Sequence, residues 1–394
     1  MAGGLSSLIG RLLPIRKKLL CLLASLGVLL VPLSASEFPG VFQEIIAPSV
    51  PGNWRNSEAS MVKLNDGRLL VAWTDFYGPQ EDDCDCKPAR ISAVMSGDEG
   101  RTWGKRFTLQ ENIAKQNVNS PSLLHLKSGK LLFVFIVNNS LNDARVMVRV
   151  SSDDAKTFSP PRGIPIKPNL SYAGVNNDRL IQLESGRVLL PVFLLQSISV
   201  DWRCLTRVYF SDDEGATWKP SLSTVDVKES KVGAQEPGVV ELKDGRVMLW
   251  NRTSTGQIYR AYSRDKGLRW SMPEPMGVAA PVSPASIKRI PSTGDLLLVW
   301  NNSPSYRFPL TIAISSDGKT WRTTKSLEED PCCTYAYTSI TFDKHRCLFT
   351  YYADAGTPPG RTPPKPKIPS PIPGAWVANW SLKLKSVPLD WLYE

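Results

Sequence analysis

Side chains that could take part in chemistry are concentrated in four places along this chain of 394 residues. They are Arg55 with Glu58; the acids Asp75, Asp82, Asp83 and Asp85 with Arg90; Glu236 with Arg252; and Arg307 with Tyr335 and Tyr337. Arginine can bind an anion through paired charge-assisted hydrogen bonds, and carboxylates or a tyrosine can transfer protons. Taken singly, each residue is equally compatible with a surface ion pair, a solvated loop, a cation site or a core aromatic position. Their meaning depends on how the fold arranges them.

A phrase that recurs five times indicates that fold. The copies are "SGDEGRTW", "SSDDAKTF", "SDDEGATW", "SRDKGLRW" and a shortened "SSDGKTW", with starts spaced by 55, 60, 52 and 52 residues. A motif that recurs in every repeat cannot be a single active site. Its Asp is predicted to accept hydrogen bonds in a turn, its Gly to permit a bend, and its aromatic residue to pack beneath. The aspartates concerned are Asp98, Asp153, Asp213, Asp265 and Asp317.

A second phrase alternates with the first and predicts the strands. It places a polar residue and a glycine before an apolar run, as in "NDGRLLVAW", "KSGKLLFVF" and "KDGRVMLW", and a weaker sixth copy is "FDKHRCLFTYY". This is the signature of a tight hairpin. Repeats of 50 to 60 residues with several strands each are typical of a propeller. We therefore predict an all-β fold, a six-bladed β-propeller of four-stranded antiparallel blades.

The two ends of the chain and one proline-rich stretch lie outside the repeats. Residues 1–36 combine a basic stretch, a short apolar run and small residues, which predicts a cleaved secretory signal, with an uncleaved anchor as the alternative. Residues 37–394 are predicted to form a single propeller domain, secreted or periplasmic, with no membrane span after cleavage. Residues 354–374 hold eight prolines and are expected to be an extended excursion. Strands after it, with 38–50, are predicted to close the ring.

Charge and cysteine content limit the partners. The net charge is +10, and four of those charges lie in the first 18 residues. The remaining excess suits an anionic substrate, and the absence of a dense basic run gives no support for nucleic acid. Six cysteines follow the leader, which permits disulfides in an exported protein. With two histidines in the chain and no four-ligand zinc spacing, we predict no metal and no cofactor. We also predict a monomer.

The chain resembles the sialidase (neuraminidase) superfamily over most of residues 50–352. The repeated phrase is similar to that family's Asp-box, and the six-bladed propeller is that family's fold. Asp-boxes also occur in non-catalytic propellers, so the order of the polar residues is the more specific evidence. Arg55 and the acidic cluster fall in the first blade, Glu236 and Arg252 in the fourth, Arg307 in the fifth and Tyr337 in the sixth.

The resemblance implies a role for each residue. Glu236 and Arg252 match a stretch, "QEPGVVELKDGRVMLWNRT", in which a Glu precedes a strand and an Arg ends the next one. The catalytic residues implied are Asp85 as acid and base, with Asp83 as the alternative, and Tyr337 with Glu236 as the nucleophile pair. Arg55, Arg252 and Arg307 are implied to bind the carboxylate of the sugar. The implied function is a secreted, retaining exo-alpha-sialidase that removes terminal acidic sugars from glycans.

The sequence departs from the family pattern at the first arginine. Aligning the first strand places Ser57 where the family has an arginine, two residues after Arg55. Two residues along a strand correspond to about 6.6 Å. A bulge could restore Arg55, and otherwise Arg90 or Arg179 could replace it. Glu58 adds a negative charge beside this position, which leaves the identity of the acidic sugar open.

Two further questions follow from this resemblance. Because the first and sixth blades of a closed ring are neighbours, Cys84 or Cys86 is predicted to lie near Cys332 or Cys333. Two other functions also stay open. One is a non-catalytic propeller that binds glycan or protein, and the other is an enzyme that hydrolyses or eliminates another terminal uronic or nonulosonic sugar.

Overall fold

The structure, a computed structural model, describes residues 39–79, 85–166, 172–197, 202–355 and 380–394. The predicted signal at 1–36, nearly all of the proline-rich excursion, and Asp82, Asp83 and Cys84 lie outside the described residues. Residues Gly40–Glu394 form one compact unit. Within the described ranges, all regular structure is β-strand apart from one 3-10 helix at Asp390–Leu392. The all-β prediction is confirmed.

Each repeat contributes a run of consecutive strands. Before and in the first repeat these are β1 (Phe42–Ala47), β2 (Arg55–Lys63), β3 (Leu69–Phe76), β4 (Ala89–Ser96) and β5 (Phe107–Gln110). In the second they are β6 (Asn117–His125), β7 (Leu131–Ser140), β8 (Asp143–Ser151) and β9 (Arg162–Gly163). In the third they are β10 (Ala173–Gly174), β11 (Ile181–Gln182), β12 (Val188–Ser197), β13 (Arg203–Ser211) and β14 (Lys219–Pro220).

The remaining repeats follow the same plan. The fourth contains β15 (Gln235–Glu241), β16 (Val247–Arg252), β17 (Gln257–Ser263) and β18 (Glu274–Ala279). The fifth contains β19 (Ser286–Arg289), β20 (Leu296–Asn301), β21 (Leu310–Ser315) and β22 (Arg322–Glu328). The C-terminal part contains β23 (Cys333–Phe342), β24 (Arg346–Ala355) and β25 (Trp380–Pro388).

The strand pairing groups these elements into five sheets rather than six separate ones. The second, fourth and fifth repeats each form a four-stranded sheet, and the third forms a five-stranded sheet because β10 and β11 both pair with β12. The first repeat and the C-terminal strands form one eight-stranded sheet, in the order β23-β24-β25-β2-β3-β4-β5 with β1 beside β25. A parallel contact between Arg55 and Trp380 joins its two halves.

Strands from the two ends of the chain pair as predicted. β1 runs antiparallel to β25, with Phe42 opposite Ser386, and β25 also pairs with β24. The last sheet is therefore completed by residues more than 300 positions apart in the sequence. This pairing brings the first repeat beside the last one.

The core lies between neighbouring sheets. Apolar runs such as "LLFVF" in β7 are buried on both faces, and Phe133 packs with Leu70 of the first repeat. On the other face of the same strand, Leu132 packs with Leu190 of the third repeat. Replacing a fully buried phenylalanine such as Phe133 by alanine typically costs about 3–5 kcal/mol. Packing between sheets therefore holds the blades in order.

The five Asp-box motifs form similar turns at one end of the blades. In the third copy, the Ser211 hydroxyl donates to Asp213 Oδ1 at 2.8 Å and the Thr217 backbone N–H donates to the same oxygen at 2.7 Å. The Gly215 N–H donates to Ser211 Oγ at 2.7 Å, and Trp218 is buried against the sheet. The predicted structural role of these aspartates is confirmed.

Candidate functional site

The innermost strands of four repeats share an irregularity at the opposite end from the Asp-boxes. β2, β6, β15 and β23 each contain a register shift. Each shift holds one non-glycine residue with positive φ, namely Glu58 (56°), Ser120 (53°), Glu236 (39°) and Tyr337 (58°). Such bulges turn a side chain out of the regular alternation, and left-handed non-glycine residues are typical of functional sites. Three of the four carry chemically active side chains.

Tyr337 and Glu236 lie in contact. The Tyr337 hydroxyl donates to Glu236 Oε1 at 3.0 Å, and Arg252 Nη1 donates to Glu236 Oε2 at 2.6 Å. Burial and the Glu236 carboxylate raise the pKa of Tyr337 well above its ordinary value, although Arg307 and Arg252 act in the opposite direction. The phenol is therefore neutral at rest and has an acceptor for its proton in place.

Arg307 lies against the same tyrosine. Its guanidinium carbon is 5.8 Å from the centre of the Tyr337 ring, and its Nη1 donates to the Tyr352 hydroxyl at 2.8 Å. Burial alone would lower the pKa of Arg307, but Tyr352, Tyr337 and Glu236 raise it above its ordinary value. Arg307 stays charged, and none of the described carboxylates forms an ion pair with it.

A second charged group surrounds Arg55. Its Nη1 donates to Asp85 Oδ1 at 2.5 Å and its Nη2 to Glu58 Oε1 at 3.3 Å. Glu58 also accepts a hydrogen bond from Thr74 at 2.9 Å. Burial raises the pKa of Glu58 more than the neighbouring Arg55 lowers it. Glu58 was predicted only as a disturbing charge, yet it is a buried member of the cluster.

Asp85 comes from a loop rather than a strand. Its side chain is 82% exposed, while Asn117 donates to the backbone carbonyls of Asp85 and Lys87 at 2.6 and 2.9 Å. The next residue, Cys86, is disulfide-bonded. The loop backbone is thus held to the second repeat. The alternative acid, Asp83, lies outside the described residues.

A chain of aromatic rings joins the two charged groups. Trp380 lies 4.0 Å from the Arg55 guanidinium and stacks on Tyr352 at 4.2 Å between ring centres. Tyr352 in turn lies 5.9 Å from Tyr337. Nothing in the repeats predicted that Trp380, which follows the proline-rich stretch, would lie here. The parallel contact that joins β2 to β25 places it beside Arg55.

The floor of the site is closed by polar residues of the third repeat. The Asn177 side chain donates to the carbonyls of Ala59 and Tyr337 at 2.6 and 3.0 Å. Asp178 pairs with Lys288 at 2.8 Å and accepts from the Ile340 N–H at 3.1 Å. These contacts reach the first, fifth and C-terminal repeats. Such contacts are possible only near the central axis, where they fix the bulged strands.

The other sequence candidates lie elsewhere. Arg90 pairs with the buried Asp75 at 2.9 Å and is not in contact with the cluster. Arg179 is buried and donates to Ala285 O at 2.9 Å, so it serves the axial core. Tyr335 is buried in the core and packs on Tyr351. Of the three candidates for the first arginine position, Arg55 is the one that contacts Asp85 and Glu58.

The structure describes five of the six cysteines that follow the leader. Cys86 and Cys332 are each disulfide-bonded, whereas Cys204, Cys333 and Cys347 are free thiols. The pairing of the two loops stays a prediction.

In the part of the chain that the structure describes, no group of three or more His, Cys, Asp or Glu is placed to hold a metal ion. No helix there is long and apolar enough to cross a membrane.

Known structures share this fold. A protein of unknown function from Dyadobacter fermentans matches with a TM-score of 0.69 and 22% identity, over 89% of this chain and 99% of that one. The NanB sialidase of Streptococcus pneumoniae matches with a TM-score of 0.69 and 15% identity, over 89% and 71%. The intramolecular trans-sialidase of Ruminococcus gnavus matches with 0.67 and 15%, over 89% and 98%.

The repeats themselves identify the family. The family model described as BNR repeat-like domain matches residues 67–349, which include all five Asp-box phrases. The predicted resemblance to the sialidase superfamily is confirmed at the level of fold and repeat. The chain belongs to the BNR repeat-like domain family and has the β-propeller fold of the sialidases.

Proposed function

We propose that this protein is a retaining, sialidase-like exo-glycosidase that removes a terminal acidic sugar from glycans. The observation that carries the proposal is the contact between the Tyr337 hydroxyl and Glu236 at 3.0 Å, with Arg252 and Arg307 beside it. Sialidases are the glycosidases that use a tyrosine nucleophile in place of a second carboxylate. The solved sialidases share the fold at low identity, so the proposal depends on these contacts.

The choice of a tyrosine follows from the substrate. A sialic acid carries a carboxylate on its anomeric carbon, and an Asp or Glu nucleophile would meet like charge there. Neutral Tyr337 can approach that carbon. As the bond between its oxygen and the anomeric carbon forms, Glu236 accepts its proton and the developing phenolate charge is neutralised.

The contacts of two arginines support a role in binding the sugar carboxylate. Arg307 carries a charge that none of the described carboxylates neutralises, and the Nε of Arg252 is buried without a hydrogen-bond partner. A donor buried in this way costs free energy unless a ligand satisfies it. An entering carboxylate would accept hydrogen bonds from both residues. We propose Arg252 and Arg307 as the carboxylate-binding pair.

Asp85 is proposed as the acid and base. It protonates the glycosidic oxygen as that bond breaks and then removes a proton from the water that releases the sugar from Tyr337. Its exposed side chain suits a group that must reach an oxygen outside the pocket. This assignment takes Asp85 over Asp83.

We further propose a six-bladed ring and an exported protein. The eight-stranded sheet can be divided between β2 and β25, which share one parallel contact. Each half then has four strands, as in the second, fourth and fifth repeats, and the ring has six blades. The proposal of export is supported by the basic and apolar character of residues 1–36. Both statements extend the predictions made from the repeats and the leader.

One observation favours a second candidate substrate. The formal charges of Arg55, Arg252 and Arg307 equal in number those of Glu58, Asp85 and Glu236, so the two groups together have no net positive charge although Arg307 itself forms no ion pair with a described carboxylate. A site without an excess of positive charge is less selective for the charge of a sialic acid. Glu58 can instead accept hydrogen bonds from further donors on a sugar. A different terminal nonulosonic or uronic sugar is therefore the alternative substrate.

A fluorogenic sialoside tests the proposal. For this aryl substrate we expect turnover by the wild-type protein, with loss of roughly 10³-fold or more for Tyr337→Phe and of only about 10-fold for Asp85→Asn, because an acidic aryl leaving group needs little protonation. Thermal unfolding should show that both variants remain folded. Binding of the sialoside without turnover would indicate a lectin. Absence of both, with turnover of a uronic or other nonulosonic glycoside, would establish the alternative substrate.

A further inference from the structure

We propose that Arg55 is a positioning residue for Asp85 and does not bind the carboxylate of the substrate. This inference rests on the proposed function, because it assigns a role within that same reaction. It departs from the sequence-based expectation that Arg55, Arg252 and Arg307 act together as one clamp. The contacts of the three guanidinium groups distinguish the role of Arg55 from the roles of Arg252 and Arg307.

The hydrogen-bonding capacity of Arg55 is largely used within the protein. Its Nε donates to Ser57 Oγ at 3.2 Å, its Nη1 to Asp85 and its Nη2 to Glu58. Each of its three nitrogens therefore already has an acceptor. Three of its five N–H groups are thus engaged, and a carboxylate ligand would have to compete with two protein carboxylates for a paired contact with this guanidinium.

The faces of Arg55 are also covered. Its guanidinium carbon lies 4.4 Å from the Phe76 ring centre and 4.0 Å from that of Trp380. Only 3% of its side chain is exposed, against 82% for Asp85. Stacking of this kind fixes the plane of an arginine. Arg55 is therefore a rigid group that can orient a more mobile one.

Asp85 needs such an orienting group. Its backbone is held by Asn117 and by the disulfide at Cys86, but those contacts leave its side-chain torsions free. Among the described residues, Arg55 is the one that binds the Asp85 carboxylate. The contact selects one rotamer of Asp85, and a catalytic acid must be held within a fraction of an ångström of its productive position.

Glu58 completes the arrangement. It shares the charge of Arg55 with Asp85, because the two carboxylates bind different nitrogens of the same guanidinium. Glu58 is itself fixed by Thr74 and by its place in the bulge. When the glycosidic carbon–oxygen bond breaks, the proton of Asp85 passes to the leaving oxygen. The Asp85 carboxylate that remains is then stabilised by the Arg55 guanidinium, which is already in contact with it.

Leaving-group dependence distinguishes positioning from binding. A sugar leaving group requires protonation, whereas the more acidic 4-methylumbelliferone can leave with little help from an acid. We would measure kcat and KM of Arg55→Lys for sialyllactose and for the methylumbelliferyl sialoside. The expected result is a fall of roughly 10- to 100-fold in kcat for sialyllactose, which is part of the contribution of general acid catalysis, a much smaller fall for the aryl substrate, and unchanged KM for both. Asp85→Asn should show the same asymmetry.

Two comparison variants make this test selective. Arg307→Met should raise KM for both substrates to the same extent and leave the ratio of their kcat values unchanged. Arg90→Gln removes another first-blade arginine that pairs with an aspartate and should leave that ratio unchanged. If Arg55→Lys does not fold because lysine cannot make both carboxylate contacts, the double variant Arg55→Ala/Glu58→Gln removes the charges of Arg55 and Glu58 together and is measured in its place.

The outcomes separate this inference from the proposed function. If the wild type turns over both substrates and the Arg55 variants raise KM equally for both, Arg55 binds substrate and the inference is wrong. If the variants lose activity on both substrates equally with no change in KM, a general structural role replaces it. A wild type that turns over neither substrate overturns the proposed function and this inference together.

Discussion

Two features recur around this propeller, and they recur in different ways. The Asp-box turns repeat both residues and hydrogen bonds: Asp98, Asp153 and Asp213 each accept from a serine and a threonine in the same pattern. The bulges of the inner strands repeat only the backbone. Glu58, Ser120, Glu236 and Tyr337 share a left-handed conformation and have little else in common.

The electrostatics of the two features also differ. Hydrogen bonds lower the pKa of Asp213 to about 2 in an exposed turn. Burial raises the pKa of Glu58 and of Tyr337 at the bulges. An exposed turn is stabilised by having its polar groups satisfied, whereas the centre holds groups in states that cost free energy. The Asp-box turns, in which the residues themselves repeat, belong to the scaffold. The bulges, in which the backbone repeats but the residues differ, lie at the candidate site.

The largest effect that tests this comparison is expected at Glu236. Glu236→Gln keeps the shape of the side chain and a hydrogen bond to Tyr337 but cannot accept its proton. We expect kcat for a sialoside to fall by roughly 10²- to 10⁴-fold, with only a modest shift in thermal midpoint. Steady-state kinetics beside thermal unfolding would check this. Full activity in the variant would exclude Glu236 as the proton acceptor.

An intermediate effect is expected from the bulge backbone. Ser120 has a φ of 53°, which a β-branched side chain tolerates poorly. We expect Ser120→Val to reduce the free energy of unfolding by about 1–3 kcal/mol. Ser120→Gly is the matched control, because glycine adopts this conformation freely and should stay within about 1 kcal/mol of the wild type. Urea titration gives both values, and equal losses would show that backbone strain is not the cause.

The smallest effect is expected at an Asp-box and depends on pH. Thr217, through its side chain and then its backbone, lowers the pKa of Asp213 from its ordinary 3.8 to about 2. A carboxylate whose pKa is depressed by folding stabilises the fold above its unfolded pKa. The stability difference between wild type and Asp213→Asn should therefore be constant above about pH 4 and diminish as pH falls towards 2.

Urea midpoints of both proteins at several pH values would check this prediction. Turnover at neutral pH should be the same in both, because the box lies at the opposite end of the blade from Tyr337. A variant that lost activity without losing stability would contradict the division between scaffold and site. A difference that grew on acidification would contradict the assigned direction of the pKa.

The fold could be predicted because its signals are local. Each Asp-box turn is formed by residues within eight positions of one another, and each hairpin by a polar-glycine pair before an apolar run. Such patterns can be recognised in the sequence without knowledge of tertiary contacts. The parallel strand pairing that joins the first repeat to the C-terminal strands was not predictable in this way. It links Arg55 to Trp380, two residues separated by most of the chain.

The site was predictable only in part. Arg55, Asp85, Glu236, Arg252, Arg307 and Tyr337 were selected from the order of polar residues along the repeats, and the structure places them in two adjoining groups. The bulge that brings Arg55 into reach was one of several options. Glu58 was missed as a member, although its "EAS" resembles the "EPG" and "YTS" at the other active bulges. A titratable residue followed two positions later by a small one was the available signal.

The sequence by itself determined the repeat, the Asp-box turns and the residue types available for chemistry, because each depends on neighbours in the chain. Only the tertiary structure decided which of those residues meet. Tyr337 and Glu236 are 101 positions apart, and their contact exists because the ring closes. The different surroundings of the arginines were likewise decided by packing. Phe76 and Trp380 enclose Arg55, whereas Arg307 has no carboxylate partner among the described residues.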